Sequence, residues 1–375
     1  MDGSTIVKAM KDQDITLVTS LPCDKARGLF FSIPREFRHV GLTREEDGIG
    51  ISAGASFAGA RPMMVIQSSG LGNMFNALLS LTFTYQLPLP ILASWRGTET
   101  ETIAAQVPFN RPLPEILSSA RIPFTIISGS DQQEAIENSI ASSFRNSTPH
   151  VILLKPGCDE DCPEPLLPDR SFFLRSGTLE YQRNWRIPEM TRFDAIEVVA
   201  RAVSGEVIVS NIGIPSRELF FIRDRPLNMY MLGSYTQASP IGLGIAVCSD
   251  REVIVLDGDG SLLGSSVLPV IAAASPGHLT VVCLDNGVFG STGNQPRPGR
   301  DRTDLRLMAI GAGFDHTWTV HTREELGEAL SAAHSGPKFI HARISPGNRD
   351  VPTIPLTPIE IRDRFMSAIG SSVPG

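Results

Sequence analysis

Two turns in this chain carry side chains suited to holding a charged ligand: Asp257-Gly258-Asp259-Gly260 and Asp285-Asn286-Gly287. Each follows an apolar run, residues 253–256 and 280–284, and a helix-compatible segment through Ala274 lies between them. Two such runs joined by a helix predict a βαβ unit with parallel strands. Both turns then fall at the carboxyl edge of one sheet, where open α/β sheets bind ligands. Asp259 and Asn286 become an oxygen pair that suits a hard cation such as Mg²⁺. Gly258 and Gly260 let the backbone approach a diphosphate closely. Asp-Gly is also an ordinary turn pair. The second strand end, with twenty-five residues between Gly260 and Asn286, favours a site over a plain turn.

Three further stretches carry chemistry in the first half. Glu45 and Glu46 follow a candidate strand at 38–42 and open a helix dense in small residues, among them Gly48, Gly50, Ser52, Ala53, Gly54 and Ala55. Acids in a first turn already favour the helix dipole. Glycine is a poor helix former, so its density predicts close approach to another helix or backbone. A strand at 63–67 runs into Ser68-Ser69-Gly70-Leu71-Gly72, a turn with an anion-friendly helix start. Arg96 ends another strand, and Gln106 sits in the loop beyond it. Arg96 reads either as a solvated charge or as a fork for a carboxylate or sulfonate.

The elements that must position these residues alternate along the chain. Strands are expected at 15–19, 38–42, 63–67, 90–94, 124–127 and 151–154, and helices at 25–32, 45–58, 73–85, 113–119 and 131–144. After a proline-rich break at 155–188 the alternation resumes, with helices at 192–203, 216–222, 240–247, 305–312 and 322–334. Strands there are expected at 207–209, 228–232, 253–256, 280–284, 316–320 and 339–344. This predicts an α/β chain with two largely parallel sheets and no sequence repeat between its halves. The 375 residues suffice for two domains. A net charge of −7 argues against nucleic acid, and no apolar run reaches membrane-spanning length. The expected location is the cytoplasm. Cys23, Cys158, Cys162, Cys248 and Cys283 are too few and scattered for a disulfide framework. Cys158 and Cys162, in CDEDC, read as linker thiols because no second ligand pair has zinc-like spacing.

The Gly-Asp-Gly turn with its later asparagine resembles the diphosphate-binding motif of thiamine-diphosphate (ThDP) enzymes. The resemblance implies Mg²⁺ on Asp259, Asn286 and the backbone carbonyl of Val288, with ThDP held around Gly258, Gly260, Ser261 and Phe289. Arg44-Glu45-Glu46 is similar to the family's Arg-X-Glu segment. That implies Glu46 as the carboxylate that bonds N1′ of the aminopyrimidine and promotes deprotonation of thiazolium C2, with Glu45 its competitor by position. Ser69, Gly70 and Gly72 match a turn that lines the cofactor pocket, and Gly233 and Ser234 match backbone contacts to the aminopyrimidine. Tyr235 stands where the family has an apolar wedge, a departure from the pattern. Residues 290–296 match a mobile loop that closes over substrate.

The order implies a pyrimidine-binding domain at 1–155, a linker at 156–190 and a diphosphate-binding domain at 191–375, with no middle domain. That layout is similar to the compact ThDP decarboxylases of sulfopyruvate and phosphonopyruvate. The segment RGTETETIAAQVPFNRPLPEIL favours the sulfopyruvate group, whose halves are often separate alpha and beta subunits, so this chain would fuse them. The implied reaction takes 3-sulfopyruvate to sulfoacetaldehyde and CO₂, in coenzyme M biosynthesis or sulfonate metabolism. A dianionic substrate needs cations and donors, for which Lys25, Arg96, Gln106 and Arg111 are the candidates. Phosphonopyruvate decarboxylation is the alternative, followed by an acetolactate-type carboligase. A non-catalytic subunit is disfavoured because Glu46, Asp259 and Asn286 are all present. The family places its cofactor between halves of two chains, which implies at least a homodimer; a lone chain would separate Glu46 from Asp259.

Overall fold

The computed structural model describes residues 3–129, 132–157, 181 and 186–370. Cys158, Cys162 and most of the expected linker lie outside these residues. The first half is a six-stranded sheet of β1 (Leu17–Ser20), β2 (Arg38–Gly41), β3 (Pro62–Gln67), β4 (Leu89–Ser94), β5 (Phe124–Ile127) and β6 (Pro149–Leu154). Their order is β2-β1-β3-β4-β6-β5, with every pairing parallel. The second half repeats this with β7 (Val207–Ser210), β8 (Asn228–Tyr230), β9 (Val253–Gly258) and β10 (Leu279–Asp285). A small hairpin, β11 (Val288–Phe289) with β12 (Gln295–Pro296), precedes β13 (His316–Val320) and β14 (Lys338–Arg343). The second sheet runs β8-β7-β9-β10-β14-β13, again all parallel. β4, β6 and β10 are buried along their whole length, as parallel strands covered on both faces must be.

β9 and β10 are neighbours, with Asp257 opposite Cys283 and Gly258 opposite Leu284, so the two acidic turns do share one sheet edge. The connection between them differs from the single helix expected. It is two helices, Asp259–Gly264 and Val267–Ala274, broken at Ser265 and Ser266. A helix break frees backbone groups that must find partners. Here the first half supplies them: Arg44 donates to the Gly264 carbonyl, Thr43 Oγ1 to the Ser266 carbonyl at 3.1 Å, and Asp47 Oδ2 accepts from Ser266 N at 3.0 Å.

The two halves meet along helices Glu45–Phe57 and Ala238–Cys248. All thirteen residues of the first are buried, three acids included. A Cβ on Gly54 would lie 2.1 Å from the Ile241 carbonyl oxygen, and one on Gly244 would lie 2.0 Å from that of Ile51. Only glycine allows backbone to touch backbone at this crossing, which explains the small residues. The main apolar core runs continuously through this contact, and a second core lies under the outer face of the first sheet.

Other departures have local causes. The helix expected at 73–85 starts at Gly70 and widens into a π-turn at Leu78–Phe83. Tyr85 OH then reaches across to the Tyr230 carbonyl at 2.8 Å and accepts from Leu232 N at 3.0 Å. The segment at 290–296 is largely a short turn and hairpin, reversed by Gly293 and Asn294 in the left-handed region. Helices Gly3–Asp12 and Pro358–Ile369 were not anticipated. The latter opens with a capping box of Thr357 and Glu360, and its Arg362 donates to the carbonyls of Tyr85 (3.2 Å) and Gln86 (3.0 Å). Among the described residues no helix is long and apolar enough to cross a membrane.

Candidate active site

Glu45 and Glu46, adjacent in the first turn of their helix, turn to different partners. Glu45 accepts from Asn73 Nδ2 at 3.0 Å and crowds Gly70, where a Cβ would come within 2.6 Å of it. It is thus committed inside the first half. Glu46 is buried beside the Arg44 guanidinium, which also reaches the Gly264 carbonyl in the second half. Burial raises the Glu46 carboxyl above its ordinary value, and the Arg44 charge offsets part of that rise.

Across the contact, Tyr235 OH donates to the Gly260 carbonyl at 2.5 Å while the residue stays 45% exposed in the cleft. Its phenol is pushed up by burial and by the charges of Asp257, Asp259 and Glu46, with Arg44 opposing. Docking of Thr43, Arg44 and Asp47 on the helix break sets the Glu46 end of its helix beside helix Asp259–Gly264 of the same polypeptide. Ser234 (φ 68°) and Thr236 (φ 75°) flank Tyr235 in the left-handed region. That conformation is costly for a β-branched residue and characteristic of functional segments.

The acidic turns open a pocket at the carboxyl edge of the second sheet. Gly258, Asp259, Gly260 and Ser261 form one wall, and Asn286, Val288, Phe289 and Gly290 another. A Cβ on Gly260 would lie 2.6 Å from Phe289 Cε1, and one on Gly258 would lie 3.2 Å from Asn211 Nδ2, so both glycines keep the cradle open. Ser234 Oγ and Ser261 Oγ are buried without a hydrogen-bond partner. The Ser261 hydroxyl beside the glycine cradle fits an oxygen-rich ligand such as a diphosphate.

The oxygens suited to a cation are present but partly engaged. Asp259 Oδ2 accepts from Arg297 Nε at 2.5 Å, and Asn286 Oδ1 accepts from Val288 N at 3.0 Å. Among the described residues no three His, Cys, Asp or Glu side chains cluster as a self-sufficient metal site. One carboxylate, one amide oxygen and one backbone carbonyl fit Mg²⁺, which completes its shell with water and ligand phosphates. Behind them Asp285 contacts His341 Nε2 (2.8 Å), Arg343 Nη1 (2.7 Å) and Arg297 Nη2 (3.4 Å). Burial would raise Asp285, but His341 and Arg343 hold it well below its ordinary value. Burial and the Asp285 charge push Asp259 upward.

The cations proposed for substrate fare unequally. Arg96 is 2% exposed and its fork is spent: Nε and Nη2 on Glu101 at 2.7 and 3.0 Å, Nη1 on Asp24 at 2.7 Å. It is withdrawn as an anion ligand, because its donors hold a loop in place. Gln106 accepts from Ser69 Oγ at 2.5 Å, which joins the Ser-Gly turn to the loop. Gly72 lies under Phe109, with a Cβ there 3.2 Å from Cζ. Lys25 is exposed, 3.9 Å from Asp24, and Arg111 is exposed at the end of helix Val107–Asn110. Sequence reasoning missed Arg192, Asn211, Asp285 and Arg297. Asp285 was visible as part of its turn, Asn211 as the polar residue just past β7, and Arg297 as the cation directly after the 290–296 loop; Arg192 lies far from the motif and gave no signal.

Residues 218–342 match the family model described as "Thiamine pyrophosphate enzyme, C-terminal TPP binding domain", thiamine pyrophosphate being another name for ThDP. The chain is 42% identical to the sulfopyruvate decarboxylase of Methanosarcina acetivorans, over 97% of this chain and 96% of that one. It is 30% identical to the phosphonopyruvate decarboxylase of Streptomyces viridochromogenes, over 100% and 96% respectively. In Methanothermobacter thermautotrophicus the sulfopyruvate decarboxylase subunits beta and alpha match separately, at 42% over 48% of this chain and 39% over 41%, each across 96% of the subunit. The crystal structure of benzoylformate decarboxylase from Polynucleobacter necessarius shares the fold, with TM-score 0.70 at 14% identity over 94% of this chain and all of that one. The chain belongs to the family of thiamine-diphosphate-dependent carboxy-lyases that includes the sulfopyruvate and phosphonopyruvate decarboxylases, with its alpha-like and beta-like parts fused in one polypeptide.

Proposed function

We propose that this enzyme decarboxylates 3-sulfopyruvate to sulfoacetaldehyde and CO₂, using ThDP and Mg²⁺. The carrying observation is the full-length similarity to a sulfopyruvate decarboxylase, stronger than that to the phosphonopyruvate enzyme. The geometry supports the reading, since Tyr235 and Asp259 line one pocket and Glu46 lies beside Arg44, which bonds the Gly264 carbonyl near it. When bound, ThDP supplies an electron sink for the pair released as CO₂ leaves. Glu46, its carboxyl raised by burial, is the residue to share a proton with the ring nitrogen of the aminopyrimidine. Asp259, Asn286 and the Val288 carbonyl are assigned to Mg²⁺. Gly258, Gly260, Ser261 and Phe289 are assigned to the diphosphate, and Ser69, Gly70, Gly72, Gly233 and Ser234 to the rest of the cofactor. Tyr235, held by its bond to Gly260, takes the wedge position as an aromatic in place of an aliphatic. With Arg96 committed to Glu101 and Asp24, the sulfonate falls to Lys25, Arg111 and the donors around Gln106. A homo-oligomer, at least a dimer with the active site between chains, is proposed from family resemblance.

The test is CO₂ release from sulfopyruvate and phosphonopyruvate offered side by side with ThDP and Mg²⁺. Preference for sulfopyruvate supports the assignment. Preference for phosphonopyruvate keeps the reaction type and overturns the substrate. Condensation of pyruvate without either turnover would point to a carboligase.

A further inference from the structure

Arg192 opens helix Arg192–Ala202 immediately after the capping residue Thr191, and it is 5% exposed. Its Nε and Nη2 donate to Glu218 Oε2 and Oε1 at 2.8 and 3.0 Å, and Nη2 also donates to Asn348 Oδ1 at 2.9 Å. A guanidinium has five N–H donors. Three are thereby used, and the two on Nη1 have no acceptor among the described residues. Nη1 lies 3.3 Å from the position a Cβ on Gly290 would take, and Arg192 lines the pocket with Asp259, Ser261, Asn286 and Gly290.

The supports fix this orientation. Glu218 is fully buried and also accepts from Arg349 N at 3.1 Å. Asn348 accepts from Arg192 and donates to the Gly290 carbonyl at 2.8 Å, tying the guanidinium to the pocket wall. An ion pair kept only for packing has no need to leave one edge of its fork facing a pocket. A planar guanidinium that spends one edge on a carboxylate can present the other to a phosphate oxygen. The pocket also carries the carboxylate of Asp259, so an anionic ligand there needs positive charge nearby.

We infer that Arg192 is a ligand of the cofactor diphosphate, binding a phosphate oxygen through Nη1 beside Gly290. This rests on the ThDP reading above. The experiment measures binding of ThDP, inorganic pyrophosphate and unphosphorylated thiamine by calorimetry, in Mg²⁺, to cofactor-stripped full-length enzyme. The wild type is compared with Arg192→Met, Arg192→Lys and the double variant Arg192→Met/Glu218→Gln, which leaves no uncompensated carboxylate. The expected result is a loss of about 10- to 100-fold for ThDP and pyrophosphate in the methionine variants, the range of a hydrogen bond to a charged group. Thiamine binding should be unmoved and the lysine variant intermediate. Unchanged ThDP affinity in a folded methionine variant, even one of lowered melting temperature, overturns the inference and leaves only a structural ion pair. Should every variant fail to fold, a crystal structure of the ThDP-loaded wild type decides, with Nη1 beyond hydrogen-bond reach of every phosphate oxygen as the refuting result. A wild type that binds thiamine and pyrophosphate alike not at all refutes the ThDP reading itself.

Discussion

The two halves have the same strand order, second-first-third-fourth-sixth-fifth counted within each, yet they treat charge in opposite ways. In the first half Arg96, Asp24 and Glu101 close on one another, and Glu45 is tied to Asn73. Glu46, held by Arg44, and Asp47, which accepts from Ser266 N, are its carboxylates turned to the other half. In the second half a charge is left with an open valence: Arg192 has an unused edge on the pocket. Equal topology therefore carries unequal work. One sheet supplies a single proton-handling group on a closed scaffold; the other supplies a receptive surface for an anion. What differs is the loops at the carboxyl ends of matching strands, where ligands of such sheets bind.

That division can be broken by mutation. The largest expected effect is from Glu46→Gln, which should lower the rate of CO₂ release by about 10²–10⁴ while ThDP affinity, measured by calorimetry, stays near wild type. A matching loss of affinity would show that the first half also holds the cofactor. Removing the metal with a chelator, or replacing Asp259 by Ala, should instead abolish ThDP binding and activity together, with Mg²⁺ restoring only the chelated wild type. Arg96→Ala leaves Glu101 buried without its partner and should cost about 3–5 kcal/mol in urea unfolding. A large rise in KM with stability unchanged would return Arg96 to the substrate.

Smaller effects probe the seam. Gly54→Ala or Gly244→Ala forces a methyl into the facing backbone and should destabilise by about 1–3 kcal/mol or more. Neutral behaviour at both positions would mean that the halves do not meet as described. Asp47, which accepts from Ser266 N, is pushed by burial to about 6 from 3.8. Its folded carboxyl thus holds its proton when the unfolded one has released it. The stability this contributes is complete below pH 4 and is lost as pH rises through about 6. Asp47→Asn should flatten that decline, gaining at most about 3 kcal/mol over wild type at pH 7 and nothing at pH 4. Equal pH profiles for variant and wild type would place the seam elsewhere.

Much of this was legible because strands and turns are local. The runs at 253–256 and 280–284 with their acidic ends announced β9 and β10, and the glycines of the Glu45–Phe57 helix announced a close crossing. The partners of those features were not legible, since nothing local says that Gly54 meets Ile241 or that Arg44 caps a helix break 220 residues away. Arg96 illustrates the limit: an arginine at a strand end looks the same in sequence whether its fork is open or filled, and only the fold shows Asp24 and Glu101 around it. The C-terminal helix had a readable start in Thr357-Pro358-Ile359-Glu360, a capping box that went unused.

The contact between Arg297 and Asp259 bears on how a cation would be held. Asp259 and Asp285 sit against each other behind the pocket, an arrangement that would oppose collapse of the second sheet if both charges stood alone. Arg297 lies on both at 2.5 and 3.4 Å, with its own N–H on the Gly287 carbonyl at 2.9 Å. The chain thereby carries its own counter-ion for this pair of acids, and a cation held by Asp259 would share that carboxylate with Arg297.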